Sequence, residues 1–253
     1  MLNIGIIGCG VVGEALRIWL NNTQHNLFIS DPNKGYNDDL SNIDLAFLQI
    51  HLPTEEDGTQ DLSVIKEIIS NLPDVPVFIR TTILPGTSEL LSKETNHRVY
   101  YMPEFLSERT SIEDFNNQTL AFTGEVELLK EVFKGRNYIV MTPLEAELTK
   151  YIHNVFGAYK VTYFNACYDY CKSLGVDWNN IHKGVLLSGY INDTHTYVPG
   201  PDGKFGYGGK CFPKDVNAFA KMTEGTLLGV LLKPISMLNE IFRSNKSVTQ
   251  IEN

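Results

Sequence analysis

The segment Gly8-Cys9-Gly10-Val11-Val12-Gly13 constrains this chain more than any other, because of what flanks it. Before it runs the apolar Asn3-Ile4-Gly5-Ile6-Ile7, and after it Ala15, Leu16, Trp19 and Leu20 recur at helical spacing. A strand that turns sharply into a helix uses its glycines for different reasons. Gly8 permits the tight turn, Gly10 lets backbone approach a ligand phosphate, and Gly13 lets helix and strand pack closely. Val11 and Val12 open the helix, whose N–H groups and positive dipole end suit a pyrophosphate. A second strand, Asn26-Leu27-Phe28-Ile29-Ser30, ends at Asp31. That acid falls about twenty residues past the glycines, where a carboxylate accepts the ribose hydroxyls of an adenosine. An acid there repels a 2′-phosphate, so the pattern predicts a dinucleotide site that favours NAD over NADP.

Alternation continues to about residue 125. Strands are expected at Asp44–Ile50, Val75–Thr81, Arg98–Met102 and Leu120–Thr123, with an edge strand at Tyr138-Ile139-Val140. Helices fall at 61–71, after Pro85-Gly86-Thr87, and at 126–134. This order predicts an α/β fold with a Rossmann-type, doubly wound parallel sheet whose ligands collect at the carboxyl ends of the strands. From about Leu144 the period changes. Leu148, Ile152, Val155, Tyr159 and Tyr163 recur at helical spacing, predicting a helix to about Ser173 that Gly175 ends. Shorter helices at 177–187, 215–222 and 226–244 follow. The expected division is a nucleotide-binding domain, 1–140, and a helical domain, 141–253.

Between those later helices stands Gly206-Tyr207-Gly208-Gly209-Lys210-Cys211-Phe212-Pro213-Lys214-Asp215. A helix that begins near Pro213 places Cys211 at its positive end with Lys214 close by, and both favour a nucleophilic thiolate. The bland alternative is a turn with a buried cysteine. The stretch 189–210, rich in glycine, proline and aspartate, reads as a substrate-covering loop because it ends at this thiol. Of the other cysteines, Cys9 falls in the first glycine turn, while Cys167 and Cys171 read as one packed helical face. Four cysteines in 253 residues suggest no disulfide framework and fit a reducing cytoplasm. The six histidines show no metal-ligand spacing, so no metal is expected. A net charge of -9 argues against a nucleic-acid surface. No targeting segment is expected, since the first strand begins almost at Met1, and Leu227–Leu232, stopped by Lys233-Pro234, is too short to span a bilayer.

Taken in order, these segments resemble the UDP-glucose/GDP-mannose dehydrogenase family of nucleotide-sugar 6-dehydrogenases. The resemblance rests on the glycine turn at 8–13, Leu52-Pro53-Thr54, and Arg80-Thr81-Thr82-Ile83-Leu84-Pro85-Gly86-Thr87. It continues through Pro103-Glu104-Phe105-Leu106-Ser107-Glu108, Ala146-Glu147-Leu148-Thr149-Lys150 with Asn154, and the Cys211 motif. It implies NAD-dependent oxidation of a nucleotide sugar, foremost UDP-glucose, at C6 from alcohol to carboxylate. By the same resemblance Cys211 would carry a thiohemiacetal and then a thioester. Lys150 and Asn154, four apart and so on one helical face, would hold the oxyanion. Asp215 would move protons through a water, and Glu104 and Thr82 would position the hydrolytic water. Thr54, Thr82, Glu108 and Lys214 would touch the cofactor. Glu104, Phe105, Leu106, Lys150, Asn154, Tyr207 and Gly208 would line the sugar site.

Read alone, several of these positions have plainer uses: a solvated stripe at Lys150 and Asn154, a helix cap at Glu104, a first-turn charge at Asp215. Family members carry a second nucleotide-fold domain after the connector helix, and this sequence stops at Asn253. The expectation is a chain without that domain, whose missing half comes from a separate polypeptide, or whose substrate binds differently. Two other readings stay open: a β-hydroxyacid-type NAD dehydrogenase without covalent catalysis, and a non-catalytic NAD-binding or assembly protein. The resemblance further implies a homodimer through the helical domain.

Overall fold

A computed structural model describes residues 1–55 and 57–244. The chain forms two units, Met1–Pro53 with Gln60–Lys150, and Thr54–Thr59 with the chain from Tyr151 onward.

In the first unit, β1 (Asn3–Ile7) leads through the glycine turn into α1 (Val11–Leu20), and β2 (Asn26–Asp31) follows. After a short 3-10 turn come β3 (Tyr36–Asn37) and β4 (Leu45–Leu48), then α2 (Ser63–Ser70), β5 (Val77–Ile79), α3 (Thr87–Thr95) and β6 (Val99–Tyr101). The strands form one sheet in the order β3-β2-β1-β4-β5-β6. All its pairings are parallel except β2 with β3, which is antiparallel. The chain therefore reverses direction across the sheet between β1 and β4, the crevice where such sheets take their ligands. Apolar residues fill both faces. Ile4, Ile6, Leu16, Leu20, Phe47 and Phe78 pack on one, and Ile7, Leu48, Ile65, Ile69 and Ile79 on the other. Burial on two faces explains why these strands read as continuous apolar runs.

The unit continues through α4 (Ser111–Asn117), β7 (Leu120–Phe122), α5 (Val126–Val132) and β8 (Tyr138–Val140). Two expectations need correcting here. The strands β7 and β8 pair with each other in a separate two-stranded sheet and do not extend the main one. The helix α4 and the two-residue β3 were not foreseen, since β3 is too short and α4 buries only Phe115, which sets up no hydrophobic period.

The helix α6 (Pro143–Ser173) supplies its first two turns to the first unit and the remainder to the second. There it is joined by α7 (Trp178–Leu186), α8 (Phe212–Met222) and α9 (Leu227–Ser244). Asp177 caps α7, its side chain accepting from Asn179 N–H at 2.9 Å. The α8 helix buries Val216, Ala218 and Phe219, and Tyr151 of α6 stacks on Phe219 with ring centres 5.4 Å apart. The end of the expected helical domain, from residue 245, lies outside the described residues.

Candidate functional site

The glycine turn has the shape that its sequence requires. Gly8 has φ +84°, and a Cβ there would stand 2.6 Å from Gln49 O. A Cβ on Gly13 would stand 2.1 Å from Gly8 O, so only glycine lets α1 approach the turn. Gly10 differs: nothing lies within 4 Å of its missing Cβ. Packing does not demand glycine at that position, whereas a phosphate resting on the N-terminus of α1 would. Val11, exposed, and Val12 form the first turn of that helix.

Asp31 ends β2, and its Oδ2 accepts the Cys9 N–H at 2.8 Å. Lys34 Nζ donates to the Cys9 carbonyl at 2.6 Å, so the turn is tied on both sides. Asp31 also borders a cleft of about 600 Å³, lined among others by Gly8, Asn33, Ile50, His51 and Ile68. These residues fit an adenosine: glycine backbone for the phosphates, a carboxylate for ribose, and an apolar wall for the base.

A second group lies elsewhere in the same unit. Lys150 Nζ stands 2.8 Å from Glu104 Oε1 and also donates to the Glu104 carbonyl, with both side chains buried. Glu104 Oε2 accepts the Leu106 N–H at 2.8 Å. Burial alone would raise the Glu104 pKa, yet the Lys150 charge and hydrogen bond, the Leu106 N–H and Arg80 together hold it below the ordinary carboxylate range. The Phe105 ring lies 5.5 Å from Lys150 Nζ. Thr82 is buried, and its carbonyl accepts from Gln60 Nε2 at 3.2 Å. Glu108 stands apart, exposed on the turn at 108–110.

In the second unit α8 begins at Phe212, beside Pro213 and three residues before the helix expected at 215–222, with Cys211 exposed at its N-cap. Asp215 lies one turn further on, fully buried, and takes two hydrogen bonds. Asn154 Nδ2 donates to Oδ2 at 2.7 Å, and Lys214 Nζ reaches Oδ1 at 2.5 Å. The Asn154 side chain is held in turn by His153 Nδ1, 3.0 Å from its Oδ1. Gly157 makes room for the Phe212 ring, whose Cζ would be 2.7 Å from an added Cβ. Thr54 lies half-buried in this unit's short 54–59 segment.

The run before the thiol is clamped by residues that sequence reasoning missed. Asn165 Oδ1 accepts Gly206 N–H at 3.0 Å, and Asn239 Oδ1 accepts Tyr207 N–H at 2.7 Å. Arg243 Nε donates to Tyr207 O at 2.9 Å, and its Nη2 would be 1.9 Å from a Cβ on Gly208. Tyr207 is itself buried, so both its backbone groups and its ring serve the loop. Asn239 and Arg243 are four apart on α9, a spacing that announces one face but not its partner. Glu147 was missed in the same way. It is buried, accepting from Gly86 N–H at 2.6 Å and from Ser88 N–H at 2.9 Å, and thereby caps α3. Among the described residues no helix is long and apolar enough to cross a membrane, and no three His, Cys, Asp or Glu gather as metal ligands.

Comparison with known proteins agrees with this pattern. Residues 144–246 match the model of the UDP-glucose/GDP-mannose dehydrogenase family, central domain. The UDP-glucose 6-dehydrogenase of Rickettsia felis is 28% identical over 231 residues, covering 83% of this chain and 49% of that protein. The enzyme of the same name from Rhizobium meliloti is 32% identical over 207 residues, 72% of this chain and 46% of that protein. The chain thus spans about half the length of the curated relatives it matches. Among solved structures, a UDP-glucose dehydrogenase from Pyrobaculum islandicum superimposes with a TM-score of 0.79 at 24% identity, covering 95% of this chain and 68% of that one. By residues 144–246 and its similarity to these UDP-glucose 6-dehydrogenases, the chain carries the central domain of the UDP-glucose/GDP-mannose dehydrogenase family.

Proposed function

We propose that this chain binds NAD and oxidises a nucleotide sugar, UDP-glucose foremost, at C6 from alcohol to carboxylate. The observation that carries the reading is the exposed Cys211 thiol at the N-cap of α8, one turn before an Asp215 held by Asn154 and Lys214. The names of the relatives support the substrate class. NAD, when bound, supplies a hydride acceptor for each of two successive oxidations.

The residues have distinct work in such a reaction. The glycine turn and the start of α1 hold the pyrophosphate, and the Asp31 carboxylate takes a ribose hydroxyl. Thr54, Thr82, Glu108 and Lys214 are proposed as further cofactor contacts. Asp215 receives the alcohol proton by way of a water. Cys211 Sγ then adds to the aldehyde carbon, and Lys150 and Asn154 hold the oxygen of the resulting thiohemiacetal. Loss of hydride leaves a thioester. Glu104 and Thr82 position the water that cleaves it, which frees the thiol and releases the carboxylate. Phe105, Leu106, Tyr207 and Gly208 are proposed to shape the sugar site. The chemistry requires Cys211 and the bound dinucleotide to meet at one carbon.

The test is to incubate the protein with NAD and a panel of nucleotide sugars, alone and with candidate partner chains. Two NADH per sugar, abolished by Cys211→Ala, is the expected result. Turnover that survives Cys211→Ala would point instead to a non-covalent β-hydroxyacid-type dehydrogenase. Saturable NAD binding with no NADH from any sugar would point to a non-catalytic role.

A further inference from the structure

Arg80 follows β5 at its carboxyl end, two residues before Thr82, and its side chain is almost wholly sealed from solvent. The guanidinium carbon lies 5.1 Å from the centre of the Phe115 ring. None of Nε, Nη1 or Nη2 has a hydrogen-bond acceptor among the described residues. A buried guanidinium left in this state is expensive, and an apolar side chain of similar volume would serve the fold better. Burial pushes its pKa down to about 10, so it is still charged at neutral pH. The carboxylate that acts on it is Glu104, which follows β6, the strand paired in parallel with β5. The phenol of Tyr101 acts in the same sense, and Arg136, 5.1 Å from the same Phe115 ring, acts against it.

Glu104 already has a cation, Lys150, at 2.8 Å. A lone Lys150–Glu104 pair would be neutral, and its ammonium would have little field left for a substrate oxygen. A second buried cation leaves the group with net positive charge. We propose that Arg80 is a positioning residue: it keeps Glu104 ionised while Lys150 turns its ammonium to the oxyanion of the substrate. The inference rests on the roles given above to Glu104 and Lys150.

Arg80→Met and Arg80→Lys in the full chain test it. The measurements are melting temperature, kcat and KM against pH with UDP-glucose and NAD, and titration of Glu104 by carbon-13 NMR, assigned with Glu104→Gln. Arg80→Met is expected to melt no lower than the parent while kcat falls about tenfold or more and KM for NAD holds. The acid limb of its kcat profile and the Glu104 titration should both move up by about one pH unit, and Arg80→Lys should restore both. An Arg80→Met protein with a parental Glu104 titration overturns the inference. Should the parent make no NADH from any nucleotide sugar, the proposed function fails, and the titration still decides the Arg80 question by itself. If Arg80→Met does not fold, Arg80→Gln gives the same readout.

Discussion

Lys150 Nζ and Glu104 Oε1 stand 2.8 Å apart with both side chains nearly closed to water, although 46 positions separate them in the chain. Removing one partner strands the other as a buried charge, so Lys150→Met should cost about 3–5 kcal/mol in urea unfolding. Lys150→Met combined with Glu104→Leu should recover much of that loss. The folded Glu104 carboxyl is held below 4.5, its ordinary value. Its contribution is therefore complete above the unfolded pKa and disappears as pH falls through the folded one. Melting temperature against pH checks the sign: the parent should lose stability on acidification more steeply than the double variant.

Asn154→Asp would set a second carboxylate against Asp215, at a contact now 2.7 Å long. Lys214 compensates only one of the two carboxylates, so the pair should retain a proton with a raised apparent pKa. With that sign the variant is most stable at low pH and loses stability as pH rises through the raised value, the reverse of the Glu104 case. Thermal melts between acid and neutral pH decide it. NADH formation at neutral pH should fall about 100-fold.

The three turn glycines should separate folding from binding. Gly13→Ala drives a Cβ to 2.1 Å from Gly8 O and should lower stability sharply. Gly10→Ala meets nothing within 4 Å, so the protein should melt as the parent does. Its NAD affinity, by calorimetry, should nevertheless drop about tenfold or more, because the new methyl occupies the phosphate's place. Parental NAD affinity in Gly10→Ala would remove the dinucleotide from this turn.

Gly208→Ala should destabilise the thiol loop through the Arg243 side chain, whose Nη2 would be 1.9 Å from the new Cβ. In an Arg243→Met background the same change should cost less, since the clashing group is gone. A double-mutant cycle on unfolding free energy is expected to give a coupling of about 0.5–3 kcal/mol. A coupling near zero would mean the two residues do not meet.

An apolar stripe on α6, Ile152, Phe156, Tyr159 and Tyr163, is exposed, at 57%, 64%, 37% and 56% respectively. Positions four, seven and eleven after the first lie along one helical face. A second copy of this chain is proposed to cover it, burying the stripe against its own counterpart. Light scattering should show a dimer for the parent and a monomer for Phe156→Glu with Tyr163→Glu; a monomeric parent would refute the proposal.

Local demands were the legible part of this protein. The glycine turn could be read because a strand-to-helix turn admits few residues at Gly8 and Gly13, whatever surrounds it. The parallel sheet followed from alternation, since parallel strands need helical crossovers, but the order of its strands did not. Short elements escaped: β3 has two residues, and α4 buries a single apolar side chain, Phe115, too little to display a period. Tyr138-Ile139-Val140 was visible as a strand but not its partner, because β8 is exposed and carries no one-sided burial pattern.

Sequence by itself determined the class of fold, the glycine turn and the candidate site residues, since each depends on a few neighbouring residues. Only the tertiary structure decided which of them meet and how deeply each is buried. Lys150 meets Glu104 across 46 positions, Asn154 meets Asp215 across 61, and Arg80 lies buried beside Phe115. Coulomb interactions follow distance and desolvation in space, and neither quantity is written in the spacing of residues along a chain.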